Sequence, residues 1–221
     1  MTRTPPKTDS QLKNTLVEEL KWIPDVDSTH IGITVDDGAV TLFGEVDSYP
    51  EKLLAEKAVM RVKGVTAIAQ EITVRDPGAG VSDTDIAREA GEALRRAVDV
   101  PETVRVSVHD HVITLSGDVQ GQHERSAAAR AVRYTKGVRS VTSSIVIRSA
   151  APTKDIKTAI TAALVRSALL EGLNITVTPR EAGEVELDGT VRSWTEHRQA
   201  ELVAWSAPGI TTVVNNLRVQ Y

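Results

Sequence analysis

At 221 residues, with 41% hydrophobic and 3% aromatic side chains, the chain has the composition of a globular protein, and its lack of cysteine excludes disulfides and thiolate metal sites. A net charge of −4 excludes the strongly basic balance of a nucleic-acid binder. No run approaches the ~18 apolar residues of a membrane-spanning helix, and the first ten residues lack the apolar stretch of a secretory signal, so a cytoplasmic location is expected.

Residues 1–8 read as a disordered tail. Leu12, Leu16, Val17 and Leu20 then follow one helix face, with Asp9 or Ser10 as N-cap. Ile31, Ile33 and Val35 alternate as a strand, the Asp36-Asp37-Gly38 turn follows, and Val40 and Leu42 continue as the second arm of a hairpin. The arm ends at Gly44-Glu45-Val46. A second helix starts near Glu51 with the stripe Leu54, Ala55, Ala58, Val59 and Val62, and Gly64 stops it as a C′ residue. A last strand runs over residues 65–74.

The same order then recurs twice. Ile86, Ala90, Ala93, Leu94 and Ala97, capped by Asp83 or Asp85, form the next opening helix; Val104, Val106 and Val108 precede the Asp110-His111 turn. Ile113 and Leu115 lead to Gly117, and Ala127, Ala128, Ala131, Val132 and Thr135 to Gly137 and a strand over 138–147. In the third pass, Asp155 caps Ile156, Ile160, Ala163, Leu164 and Ser167. Leu173, Ile175 and Val177 meet a longer turn at 179–183, and Val185 and Leu187 reach Gly189. Gln199, Ala200, Val203, Ala204 and Ala207 line the last helix, with Gly209 and a strand over 210–219 behind it.

Both glycine series, Gly44, Gly117, Gly189 and Gly64, Gly137, Gly209, step by 73 and 72 residues. Two landmarks moving together mean three copies of one unit, over residues 9–75, 83–148 and 154–221. The predicted fold is α+β: three tandem α-β-β-α-β domains, each a three-stranded mixed sheet with two helices on one face. The glycines read as bends and stops, since no Gly-x-Gly-x-x-Gly or Walker run accompanies them. The segments at 76–80 and 149–152 read as short linkers.

This order, with the Val40-Thr-Leu-Phe-Gly44-Glu-Val46 strand end, Lys63-Gly64-Val65 and Val213-Val-Asn215-Asn216-Leu-Arg-Val219, resembles the BON (bacterial OsmY and nodulation) domain family, from about residue 9 to 219. The resemblance implies binding instead of catalysis. It implies association with phospholipid surfaces, a role in osmotic or envelope stress and, in one cytosolic branch, potassium binding. Two features depart from the family: many members carry a secretion signal, and the potassium-binding branch adds a LysM module; neither is seen here.

Charge is uneven among the copies. Residues 9–75 carry −5, residues 83–148 carry +1 and residues 155–221 carry −2. Only the middle copy therefore suits an anionic surface. Its second helix carries Arg125, Arg130 and Arg133, followed by Lys136 and Arg139, and Arg130 and Arg133 are neighbours on a helix surface. These five are the candidate residues for lipid headgroups or an acidic partner.

His109 and His111, two apart on a strand, would share a face as a metal pair, with His123 nearby. Without cysteine or glutamate at ligand spacing, a surface role is the better reading. Asp25, Asp27 and Asp36-Asp37-Gly38 offer oxygens to a hard cation, but match no EF-hand loop and suit turn chemistry. Trp22 lies just past the first helix, Trp194 at the approach to the last, and Trp205 off the apolar stripe, so partly exposed.

No Ser-His-acid set or cofactor fingerprint recurs between copies. The expectation is a non-enzymatic binding protein without a cofactor that meets an anionic phospholipid surface or a protein partner. The alternatives are a potassium sensor whose domains repack and an interaction scaffold.

Overall fold

A computed structural model describes residues 8–75, 80–148 and 156–220. Residues 1–7 of the predicted tail at 1–8, the cap Asp155 and nearly all of both linkers lie outside the described residues, while Thr8 is not tail but the N-cap of the first helix.

In the first copy, α1 (Asp9–Lys21) is followed by β1 (Ile31–Asp36), β2 (Ala39–Val46), α2 (Tyr49–Arg61) and β3 (Ala67–Val74). The middle copy repeats this as α3 (Asp83–Arg96), β4 (Arg105–His109), β5 (Val112–Val119), α4 (Gln122–Val132) and β6 (Ser140–Ile147). The third gives α5 (Ile156–Arg166), β7 (Ile175–Pro179), β8 (Glu184–Val191), α6 (Trp194–Trp205) and β9 (Thr212–Val219). Each copy has its own three-stranded sheet, with the middle strand in sequence also central in space.

The hairpin pairs are antiparallel, with Val35 opposite Val40 and Val108 opposite Ile113. The strand after the second helix returns parallel, with Gly44 opposite Ile72 and Gly117 opposite Ile145. The fold is therefore the predicted mixed-sheet α+β unit, three times over. The described residues group into two compact units. One holds the first copy with residues 190–197 and 218–220, and the other holds the middle copy with the rest of the third.

Helical periodicity decides which residues are buried. Leu12, Leu16 and Leu20 lie four apart on α1 and are fully covered, and Ile86, Ala90 and Leu94 repeat them on α3. Val40, Leu42, Ala55, Ala58, Val59 and Ile72 complete the first core. On β2 the buried Val40 and Leu42 alternate with Thr41 and Phe43 on the other face.

Several boundaries differ from the reading of the sequence. Thr8 and Ser82, and not the following aspartates, cap α1 and α3 with full capping boxes. The displaced Asp9 instead accepts the N–H groups of Asp37 and Gly38, both at 3.0 Å. Asp83 likewise accepts from Asp110 and His111, at 2.9 and 3.0 Å. A carboxylate on the first helix thus ties down the hairpin turn. Gly64 is no C′ residue, because α2 ends earlier with Val62 as its C-cap. The last strands start two residues later than predicted, at Ala67, Ser140 and Thr212.

The His111 N–H bond holds the Asp83 carboxyl below its usual value of 3.8, with Asp110 adding to the effect and partial desolvation opposing it. The unfolded chain then takes up a proton at a higher pH than the folded one. The stabilisation is complete above the unfolded value and is lost as pH falls through the lower folded value. Urea midpoints of wild type and Asp83→Asn should therefore differ at neutral pH and converge below pH 4; a gap that stays constant with pH would contradict this role.

Candidate surface-binding site

The five basic residues proposed from the sequence do not form one surface. Arg125 sits in the first turn of α4, and its guanidinium lies over the Trp205 ring, 4.7 Å from the centroid. Trp205 in turn donates through Nε1 to Glu201 at 3.3 Å. Burial pulls the Arg125 guanidinium below its ordinary value, with Glu201 opposing. This cation–π contact occupies Arg125 within the chain and half-buries Trp205.

The other four gather at the far end of α4 and the turn after it. Arg130 and Lys136 are exposed, while Arg133 and Arg139 are half-buried. The Arg133 guanidinium stands 5.8 Å from the ring centroid of Tyr134, which is 72% exposed. The backbone N–H of Arg139 donates to the His111 carbonyl at 2.9 Å, which brings the hairpin turn to the same end. α4 ends at Val132 with Arg133 as its C-cap, so Gly137, at φ +86, belongs to the turn towards β6 and is no C′ residue, and neither is Gly209 beyond the end of α6 at Trp205. Positive side chains here also favour the negative end of the helix dipole, so part of this clustering serves the helix itself.

Sequence reasoning missed Tyr134. Its signal was available: a large aromatic aligned with Arg61 and Ser206 of the other copies lies off the apolar stripe.

A second exposed feature recurs at the C-terminal ends of the first helices. Trp22, 83% exposed, follows Lys21. Val98 is fully exposed beyond Arg95 and Arg96, and Val165 and Leu169 are exposed around Arg166. The three tips share no residue type, only the pairing of a base with an exposed apolar side chain.

The histidine pair is not formed. His109 ends β4 and is 90% exposed, whereas His111 lies in the turn with φ +63 and its Nδ1 is 2.9 Å from the Gly137 carbonyl. Of the acidic residues, Asp27 follows turn chemistry, while the Asp36-Asp37-Gly38 turn is held by Asp9. Asp27 accepts the Thr29 hydroxyl at 2.6 Å and its N–H at 3.0 Å, and these bonds, the hydroxyl's first, lower its carboxyl below the usual range. Among the described residues no group of three or more His, Asp or Glu is placed to hold a metal, and no helix is long and apolar enough to cross a membrane.

Trp194 starts α6 and packs against the core of the first copy. Beside it, the Thr195 hydroxyl donates to the Met60 carbonyl at 3.2 Å. Two of the three tryptophans therefore make contacts between copies, and only Trp22 faces solvent.

The repeated two-layer unit defines a class of small α+β domains. The BON domain family model matches residues 8–76, 82–149 and 152–221, so the chain belongs to the BON family, with three domains in tandem. It is similar to osmotically-inducible protein Y of Escherichia coli K12, 33% identical over 122 residues. That match covers 52% of this chain and 61% of the relative, so the chain spans under two thirds of that protein's length.

Among solved structures, CdsD of the Chlamydia trachomatis type III secretion system aligns over 95% of this chain and 92% of its own, at 15% identity and TM-score 0.27. The periplasmic domain of PrgH from S. typhimurium aligns over 86% and 94%, at 11% identity and TM-score 0.24. At such scores neither alignment bears on function.

Proposed function

We propose that this protein is a non-enzymatic accessory of osmotic or envelope stress that attaches reversibly to anionic phospholipid surfaces through the middle domain. The similarity to osmotically-inducible protein Y supports the stress connection. The observation that carries the surface assignment is the exposed Tyr134 ring under Arg133, with Arg130 and Lys136 exposed around it. An amphipathic ring suits the headgroup layer, and each base near an anionic surface adds about 1 kcal/mol. Three bases give an attachment that is weak, reversible and sensitive to salt.

The test is co-sedimentation of the full chain with phosphatidylglycerol-containing vesicles. Binding is expected at low salt, lost at high salt, and reduced about tenfold or more by Arg130→Glu with Lys136→Glu. Absence of binding at low salt, or equal binding by the double variant, overturns the reading. The recurrence of an exposed apolar residue beside a base at all three first-helix tips favours a second reading, in which those tips make the contact. Trp22→Ala would then lower sedimentation while the Arg130/Lys136 variant would not.

A further inference from the structure

The third strand of each domain is a sheet edge, and all three edges carry the same small device. The N–H of Ile72 donates to Gln70 Oε1 at 2.9 Å, that of Leu217 to Asn215 Oδ1 at 3.2 Å, and that of Ile145 to Ser143 Oγ at 3.4 Å. These positions are equivalent, stepping by the same 73 and 72 residues. A polar side chain two residues back thus occupies an edge N–H that would otherwise invite another strand. The first domain adds a second cover, because Lys52 Nζ donates to the Ile72 carbonyl at 2.7 Å.

The middle domain has the weakest version. Ser143 is the shortest of the three side chains, and its 3.4 Å bond lies beyond the usual N–H···O range. The counterpart of Lys52 is Arg125, which is drawn onto the Trp205 ring instead. β6 (Ser-Val-Thr-Ser-Ser-Ile-Val-Ile) carries no charge, whereas β3 contains Glu71 and β9 contains Arg218. Thr142, Ser143 and Ser144 are all exposed. Because Arg148 N–H donates to Val119 on the partner strand, the backbone groups of Val141, Ser143 and Ile145 alternate to the open side.

We propose that β6 is a dimerisation edge, pairing antiparallel with β6 of a second copy about a two-fold axis at Ser143. The strand is self-complementary in this register. Val141 meets Ile145 on the helix side, Thr142 meets Ser144 on the outer face, and Ser143 meets its own mate. About six backbone hydrogen bonds form, and the Ile145 N–H exchanges a weak side-chain acceptor for a carbonyl. The corresponding pairing of β3 about Gln70 would set two Glu71 carboxylates on diagonal positions roughly 8 Å apart, which disfavours it.

The chain contains no cysteine, so a single introduced thiol reports on one position. Residues in a hydrogen-bonded antiparallel pair have Cα atoms about 5.5 Å apart, within disulfide range. Under mild oxidation of the full chain, Ser143→Cys should give a covalent dimer at least tenfold faster than Gln70→Cys or Asn215→Cys. In sedimentation without oxidant, the wild type should show a monomer–dimer equilibrium that Ser143→Pro abolishes. That N–H faces the open edge, so proline removes no bond of the domain's own sheet. Equal cross-linking rates, a wild type that stays monomeric, or a dimer indifferent to Ser143→Pro each overturn the proposal.

Discussion

Replacing Gly117 by alanine should destabilise the middle domain by about 3 kcal/mol or more, the cost of a strained backbone plus a steric clash inside a sheet. Gly117 sits within β5 at φ +123, which L side chains rarely adopt, and an added Cβ would overlap the Thr103 carbonyl oxygen of the neighbouring chain segment. That oxygen is backbone and cannot swing aside. Gly44 and Gly189 meet the His30 and Asn174 carbonyl oxygens in the same way, so the clash belongs to the fold and not to one copy.

The control is Gly91→Ala in α3, where the nearest atom to a new Cβ is Val106 Cγ1 at 3.9 Å. A helical glycine to alanine change with room to spare should stabilise by about 0.5–1 kcal/mol. Thermal denaturation of the two variants should therefore move in opposite directions. For a domain of this size, the Gly117 variant should fall by roughly 12 °C or more. Similar melting of the two would refute the account.

The recurring glycines show how much of the fold was legible in the sequence. Periodicities of 3.6 and 2 in the apolar residues located all six α-helices and nine strands described, because burial on one face leaves that trace directly. The caps were misread for a physical reason. Asp9 and Asp83 are good N-cap residues by type, but their carboxylates reach 27 to 29 residues ahead to the hairpin turn, and local rules cannot see a long-range acceptor.

The candidate site was half legible. Sequence order placed Arg125 with Arg130 and Arg133, since all lie on or next to one helix. Its diversion to Trp205 depends on how another copy packs, which no spacing encodes. The edge bonds of Gln70, Ser143 and Asn215 were invisible for the opposite reason: three different residue types perform one job, so no motif repeats.

The same divergence under a conserved frame predicts unequal costs at equivalent positions of the second helices. Glu51, Glu124 and Glu196 all accept a backbone N–H from the residue four before them, from Asp47, Gln120 and Arg192 at 2.9, 2.6 and 2.6 Å. Of the three, Glu51 alone is buried, at 8% exposure, and among the described residues it alone of these glutamates is bonded through both oxygens, with Oε1 taking the Asp27 N–H at 2.8 Å. It thereby ties the loop after α1 to the start of α2.

Glu51→Ala removes two charge-assisted bonds and leaves a cavity beneath them, a loss of about 3 kcal/mol. Glu124→Ala removes one bond at a half-buried site and should cost about 1 kcal/mol. Chemical denaturation of the full chain should show a loss about threefold larger for Glu51→Ala, with Glu51→Gln between them, because the amide keeps one acceptor. Equal losses at Glu51 and Glu124 would mean that the second bond to Asp27 contributes nothing, and that the loop after α1 is held by the Val26 contact with the core instead.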